Sequence, residues 1–176
     1  MAGGVVTERI TRAYLARFTR DITGKPEMSG LPPTQWPQAM QDRMKQLTSD
    51  LLKLLGINPQ DKAAMKGYGE INGRLLRAPV LVILCMDKVL SNWTAFDFGL
   101  FSQTLMVAAR GYGVDSIVAT AFISQPDILR KELEIPDGVQ IVTGIGLGYE
   151  NTRSTINSYR SPRRSLQEAV TFKGID

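Results

Sequence analysis

Apolar residues recur at helical spacing in two stretches early in the chain. Ile10, Tyr14, Leu15 and Phe18 share one face of a first helix over Thr7 to Phe18, with Thr7 as its N-cap. Met40, Met44, Leu47, Leu51, Leu54 and Leu55 do the same for a long amphipathic helix over Thr34 to Leu55, ended by Gly56 and Asn58-Pro59. A methionine stripe of this kind reads as core packing. Residues 21–33 between them are broken by Gly and Pro and read as an extended surface loop. A further helix spans about Pro59 to Asn72.

The pattern then changes period. Pro79 to Asp87 is a continuous apolar run, read as a central strand buried on both faces. A turn at Asp87 to Asn92 leads to Thr94–Arg110, apolar on most of its circumference, which predicts a helix at the centre of the protein or of an oligomer. Gly99 inside it implies close packing against another backbone. Gly111-Tyr112-Gly113 stops this helix. A strand over Val114 to Phe122, a helix over Gln125 to Glu134 with Pro126 in its first turn, and a strand over Val139 to Leu147 follow. Helices around a sheet, with a long buried central helix, define an α+β fold. The chain is read as one domain, 1–176, in which 150–176 is an extended C-terminal arm. Ala169 to Phe172 has strand character, and the long polar connection before it suggests that the arm packs on a partner subunit.

Composition narrows the chemistry. A chain of 176 residues with 43% hydrophobic and 22% charged residues fits one ordinary globular core. The longest apolar stretch is too short to span a bilayer, and no export signal opens the chain, so no membrane partner is expected. The single cysteine, Cys85, lies in the central strand and reads as an inert core thiol, which makes a cytoplasmic location the default. There is no histidine at all. That removes Ser-His-Asp and Cys-His machinery, imidazole bases and His-type zinc sites, so neither a catalytic side chain nor a metal site is assigned. An enzyme of this composition needs a bound redox cofactor. The net charge of +4 is spread along the chain and aromatic residues make up 7%, so no nucleic-acid partner is expected. The one basic concentration is Arg153, Arg160, Arg163 and Arg164.

A flavin mononucleotide site has definite requirements. Its phosphate needs Arg or Lys forks, which Arg160 and Arg163 supply. The ring edge at N5/O4 needs a hydrogen-bond donor, and backbone N–H groups at a strand end serve. Ala119, Thr120 and Ala121 stand at such an end.

The order of these pieces resembles the later part of the FMN-dependent nitroreductase family. The match includes D-x-G-x-x-x-Q (Asp97, Gly99, Gln103) and G-x-x-x-G-Y (Gly144, Gly148, Tyr149). The resemblance implies a nitroreductase-like α+β fold, with Ala119 to Ala121 against the flavin ring and Arg160 and Arg163 on the phosphate. It also implies a homodimer built on the central helix. FMN would be reduced by NAD(P)H and oxidised by a small-molecule acceptor such as a nitroaromatic or quinone. The family's opening Arg-Ser-x-Arg helix and first strand have no counterpart. Met1-Ala2-Gly3-Gly4 looks like the turn after that strand, so an N-terminally truncated fold is expected. The alternative is a non-catalytic dimer that binds flavin weakly or not at all.

Overall fold

A computed structural model describes residues 1–91 and 93–174 of the chain. In chain order its elements are β1 (Ala2–Gly3), α1 (Val5–Thr19), α2 (Gln38–Leu54), α3 (Lys62–Gly73), β2 (Val80–Asp87), α4 (Trp93–Gly111), β3 (Asp115–Val118), α5 (Pro126–Leu133), β4 (Val139–Gly148) and α6 (Leu166–Ala169). Short 3-10 turns at Pro33–Gln35, Leu75–Arg77, Thr120–Ile123 and Thr155–Ser158 join them. The four strands form one antiparallel sheet in the order β1-β2-β4-β3. The α+β architecture expected from the pattern is therefore present.

Local chemistry accounts for the boundaries. Helix α1 starts at Val5, two residues before the expected Thr7 cap, because Gly4 adopts φ 54 and turns the chain out of β1. Thr7 is instead buried in the first turn, with Ile10 and Tyr14 on the same face. Helix α2 begins only at Gln38. Trp36 precedes Pro37 and is held extended, which blocks the helix from starting at Thr34. Helix α3 begins at Lys62, where the Asp61 carboxylate accepts the N–H groups of Ala63 and Ala64 at 2.9 and 3.0 Å. Its Gly69 and Gly73 lie flat against Phe18 of α1, and a Cβ on Gly73 would stand 2.9 Å from Phe18 Cβ.

The core gathers Ile10 and Tyr14 of α1, Leu75, Leu81 of β2, Phe122, Ile123, Leu129 of α5 and Ile141 of β4. Several expectations change in detail. Met1–Gly4 has the sequence of a turn, yet Ala2 and Gly3 pair with Leu81 and Val80 as an edge strand. In β2 only Leu81 and Met86 are buried, so this chain covers the strand unevenly rather than on both faces. The strand expected to run to Phe122 stops at Val118, for a reason given below. Of the turn expected at Asp87–Asn92, residue Asn92 lies outside the described residues.

Helix α4 forms where expected, but its own chain buries only Ser102. Trp93, Phe96, Leu100 and Val107, at spacings of three, four and seven, form an exposed apolar stripe, with Phe101 beside it. Among the described residues, nothing beyond the backbone of α4 itself and the residues flanking Gly99 lies within 4 Å of a Cβ on Gly99, so the close backbone contact expected there is not made by them. In the tail, Ala169–Phe172 does not form a strand. Ser165 and Glu168 build a reciprocal capping box on the single turn of α6, and Val170 and Phe172 stay exposed. No helix among the described residues is long and apolar enough to cross a membrane.

Candidate functional site

The site grows from three glycines. Strand β4 carries Gly144, Gly146 and Gly148 on alternate positions, so all three face the same side of the sheet. A Cβ on Gly144 would stand 2.5 Å from Phe122 Cβ. One on Gly146 would stand 2.7 Å from Phe122 Cζ and 2.8 Å from Ala78 Cβ, and one on Gly148 would stand 2.9 Å from Pro79 Cδ. The bare strand is thus a seat for the Phe122 ring, which is fully buried on it. To reach that seat the chain leaves β3 after Val118. Ala119 N–H still donates to Gly144 O at 3.3 Å, and the backbone then coils into the Thr120–Ile123 turn. The first hydrogen bond inside the turn runs from Phe122 N–H to Ala119 O at 3.1 Å. A 3-10 turn leaves its leading N–H groups without a partner inside the turn, and here these belong to Thr120 and Ala121.

Helix α1 fastens the turn from the other side. The buried Tyr14 hydroxyl donates to Phe122 O at 2.9 Å and accepts from Gln125 N–H at 3.3 Å. Burial pushes its pKa well above that of an ordinary phenol, so it remains a donor. One turn further along α1, Arg17 forks onto both carboxylate oxygens of Asp127 and donates to Gln125 Oε1 at 2.6 Å. This pairing holds the Asp127 carboxyl below its ordinary range.

Between α1, the end of α3, the loop Asp21–Pro26 and this turn lies a cavity of about 450 Å3, lined in part by Tyr14, Thr23, Asn72, Thr120, Ala121 and Gln125. Its size falls in the ~300–1,000 Å3 range of small-molecule sites. The loop is pinned at two points. Gly24 lies so close to Ser124 O and the Gln125 side chain that no Cβ fits there. Glu27 takes Arg130 in a bidentate pair at 2.7 and 2.9 Å and accepts Ile141 N–H at 2.8 Å. Ile141 lies on β4 beyond the end of β3, so the carboxylate satisfies a donor that no strand reaches.

The Arg130 guanidinium holds the Glu27 carboxyl below its ordinary range. A depressed native pKa stabilises the fold above the unfolded value, about 4.3, and that stabilisation is lost as pH falls through the lower native value. Ile141 and loop 21–33 are therefore expected to lose amide-exchange protection in acid below about pH 4. Glu27→Gln is expected to produce the same loss at neutral pH. Unchanged Ile141 exchange in that variant would contradict the assignment.

The structure brings some of the sequence-derived residues together and leaves others apart. Ala119 leads into the turn, and Thr120 and Ala121 line the cavity. Arg160 and Arg163 are exposed in the tail and do not line it. Arg160 donates to the carbonyls of Asn157 and Tyr159, and Arg163 to Ser161. Neither meets a carboxylate among the described residues. The tail docks beside α2, where the Tyr159 hydroxyl lies 3.4 Å from Asp50 Oδ2. Cys85 is half-buried and its pKa is raised by desolvation, as an inert thiol requires. No metal-ligating cluster occurs among the described residues. Sequence reasoning missed Phe122, Gln125 and Glu27, and saw Tyr14 only as a core residue. The alternate glycines of β4 were the available signal for Phe122.

Comparison with known proteins agrees with this architecture. Residues 8–149 match the model of the nitroreductase family. The chain is 33% identical over 172 residues to the chloronitrobenzene nitroreductase of Comamonas testosteroni, covering 96% of this chain and 74% of that protein. It is 33% identical over 124 residues to the 4-nitrobenzoate reductase of Pseudomonas putida, covering 69% of this chain and 55% of that protein. The chain thus spans between about half and three quarters of the length of these relatives. In fold it is similar to the FMN-dependent nitroreductase NfnB from Mycobacterium smegmatis, solved in complex with NADPH. The TM-score is 0.87 at 24% identity, over 98% of this chain and 76% of that one.

Proposed function

This chain belongs to the nitroreductase family, and we propose that it is an FMN-dependent oxidoreductase that passes electrons from NAD(P)H to nitroaromatics, quinones or similar small acceptors. The observation that carries the reading is the Thr120–Ile123 turn, clamped over bare glycines with Thr120 and Ala121 at a cavity wall. The donor set fits FMN. Thr120 and Ala121 offer backbone donors for the polar edge of the isoalloxazine ring, and Ala119 sets where they stand. Arg160 and Arg163 offer guanidinium forks with no acidic partner among the described residues, suited to a phosphate. When bound, FMN supplies hydride chemistry, which suits a chain without histidine. The protein's part is to orient and polarise. The Phe122 seat and the Tyr14 hydroxyl fix the turn, so its dipoles need no reorganisation as charge gathers on the ring edge.

The functional unit in this proposal is a homodimer. The stripe of Trp93, Phe96, Leu100 and Val107 on α4 is a surface of the kind that monomers cover. The arm 150–176, exposed along almost all of its described length, would cross to the partner and carry Arg160 and Arg163 to a site that one subunit does not close. Residues 1–176 are one nitroreductase-like domain in this reading, with 150–176 as its C-terminal arm. A cytoplasmic location belongs to the same proposal and rests on the single, unpaired cysteine. Light scattering is expected to give a dimer at micromolar concentration, and Leu100→Asp is expected to give monomers. A wild-type monomer would remove the two-subunit site.

A further inference from the structure

Helix α2 is thinly covered by its own subunit. Of its 17 residues only Leu52 is buried, and Met40, Met44 and Leu47, at spacings of four and three, are exposed. A helix of this length gains most of its stability from packing an apolar face. Along it runs an open groove of about 440 Å3. Two neighbouring rows of the helix line the groove, Met44, Thr48 and Leu52 in one and Lys45, Ser49 and Lys53 in the next. The apolar row is thus edged by two cations, neither of which holds an ion pair among the described residues. The chain's own arm meets α2 elsewhere. Tyr159 reaches it at Asp50, which helical spacing sets on the face opposite the groove.

Helix α4 presents the counterpart. Phe96 and Leu100 form one exposed apolar row, and Trp93, Asp97 and Phe101 form the next. Asp97 is the one acidic residue of this helix, and it holds no ion pair among the described residues. Each helix therefore carries an apolar row beside a charged row, and the charges are opposite. In both helices the charged row lies one position further along the chain than the apolar row. Antiparallel packing of the two helices then sets the charged rows on the same side of the contact. With Asp97 level with Ser49, Phe96 and Leu100 enter the gaps between Met44, Thr48 and Leu52. Asp97 then stands between Lys45 and Lys53, one helical turn from each.

We propose that the α2 groove of each protomer receives α4 of a second copy of this chain, antiparallel, with Asp97 of one protomer between Lys45 and Lys53 of the other. This rests on the homodimer reading above and names what covers the α4 stripe. A two-fold axis repeats the contact, so one kind of pairing covers the apolar rows of α2 and α4 in both protomers. The contact also bears on the flavin site. Tyr159 leans on the outer face of α2, so docking that helix on the partner fixes where the arm bearing Arg160 and Arg163 sets out.

The test joins two differently tagged protomers, both Cys85→Ala, one carrying Thr48→Cys and the other Leu100→Cys, and oxidises the full-length dimer mildly with copper phenanthroline. The mixed dimer is expected to link covalently, whereas dimers carrying the same substitution twice stay unlinked over the same time. Charge gives a second measurement on exposed residues. Asp97→Lys alone, and Lys45→Glu together with Lys53→Glu, are each expected to raise the dimer Kd roughly tenfold, and combining all three is expected to recover part of the loss. No link in the mixed dimer, or a link formed instead between two Leu100→Cys protomers, overturns the proposal. So does a combined charge variant whose loss equals the sum of the separate ones. A monomeric wild type overturns the homodimer reading and this contact with it. A dimeric wild type that fails both tests removes α2 from the interface and leaves the homodimer reading standing.

Discussion

Gly146→Val is expected to strip the protein of flavin while leaving most of its fold intact. The new side chain must occupy space that Phe122 Cζ and Ala78 Cβ already fill, at 2.7 and 2.8 Å from its Cβ. Overpacking of this kind costs roughly 1–3 kcal/mol. A domain stable by about 5–15 kcal/mol tolerates that. The strain falls on Phe122, which is tied to the Thr120–Ala121 donors through a single short turn. A displacement of about 1 Å at a positioning group is enough to lower turnover on the order of 100-fold. Thermal unfolding should thus shift modestly while FMN retention and nitroaromatic reduction collapse. Phe122→Leu, placed in the Gly146→Val background, replaces the ring that collides with a shorter side chain and is expected to recover part of the loss. If Gly146→Val retains full flavin and full activity, the turn is not what positions the cofactor.

Arg160→Ala and Arg163→Ala are expected to weaken FMN binding by about ten- to a hundredfold each. The estimate follows from losing a charge-assisted contact of about 1.5–3 kcal/mol. Both guanidiniums hold only carbonyl and hydroxyl oxygens of their own tail segment, so removing either leaves no buried charge behind. Riboflavin, which lacks the phosphate, should bind wild type and both variants alike. Equal losses for FMN and riboflavin would mean that these arginines act on folding or on the dimer, not on the phosphate.

The elements that were legible in the sequence are those whose signal is local. The amphipathic spacing of Ile10 and Tyr14, the apolar run into β2, the punctuation around α4 and Pro126 at the start of α5 all appear within one turn or one strand. The elements that were misread depend on distant partners. Val118 to Phe122 has the composition of a strand, and only the bare Gly144 and Gly146 across the sheet make a turn the better packing. Tyr14 shows an apolar helical face in the sequence, while its hydroxyl partner is Phe122 O, 108 positions away. Glu27 looks like any loop carboxylate until β4 presents Ile141 N–H to it. The left-handed turn at Leu75–Arg77 has no glycine to announce it, because the force that holds it is the burial of Leu75. Arg160 and Arg163 were visible from charge and spacing. Their placement was not, since the tail that carries them has little contact with its own subunit beyond α2.

The central claim is that this chain binds FMN and uses it to move electrons. It is tested most directly by an anaerobic spectroscopic titration of the dimeric protein loaded with FMN. The account predicts that the oxidised-flavin absorption of the protein-bound fraction bleaches on adding NADPH and returns on adding a nitroaromatic, in stoichiometric steps. A protein that takes up no FMN, or whose bound FMN neither bleaches with a reduced pyridine nucleotide nor recovers with an acceptor, would contradict it.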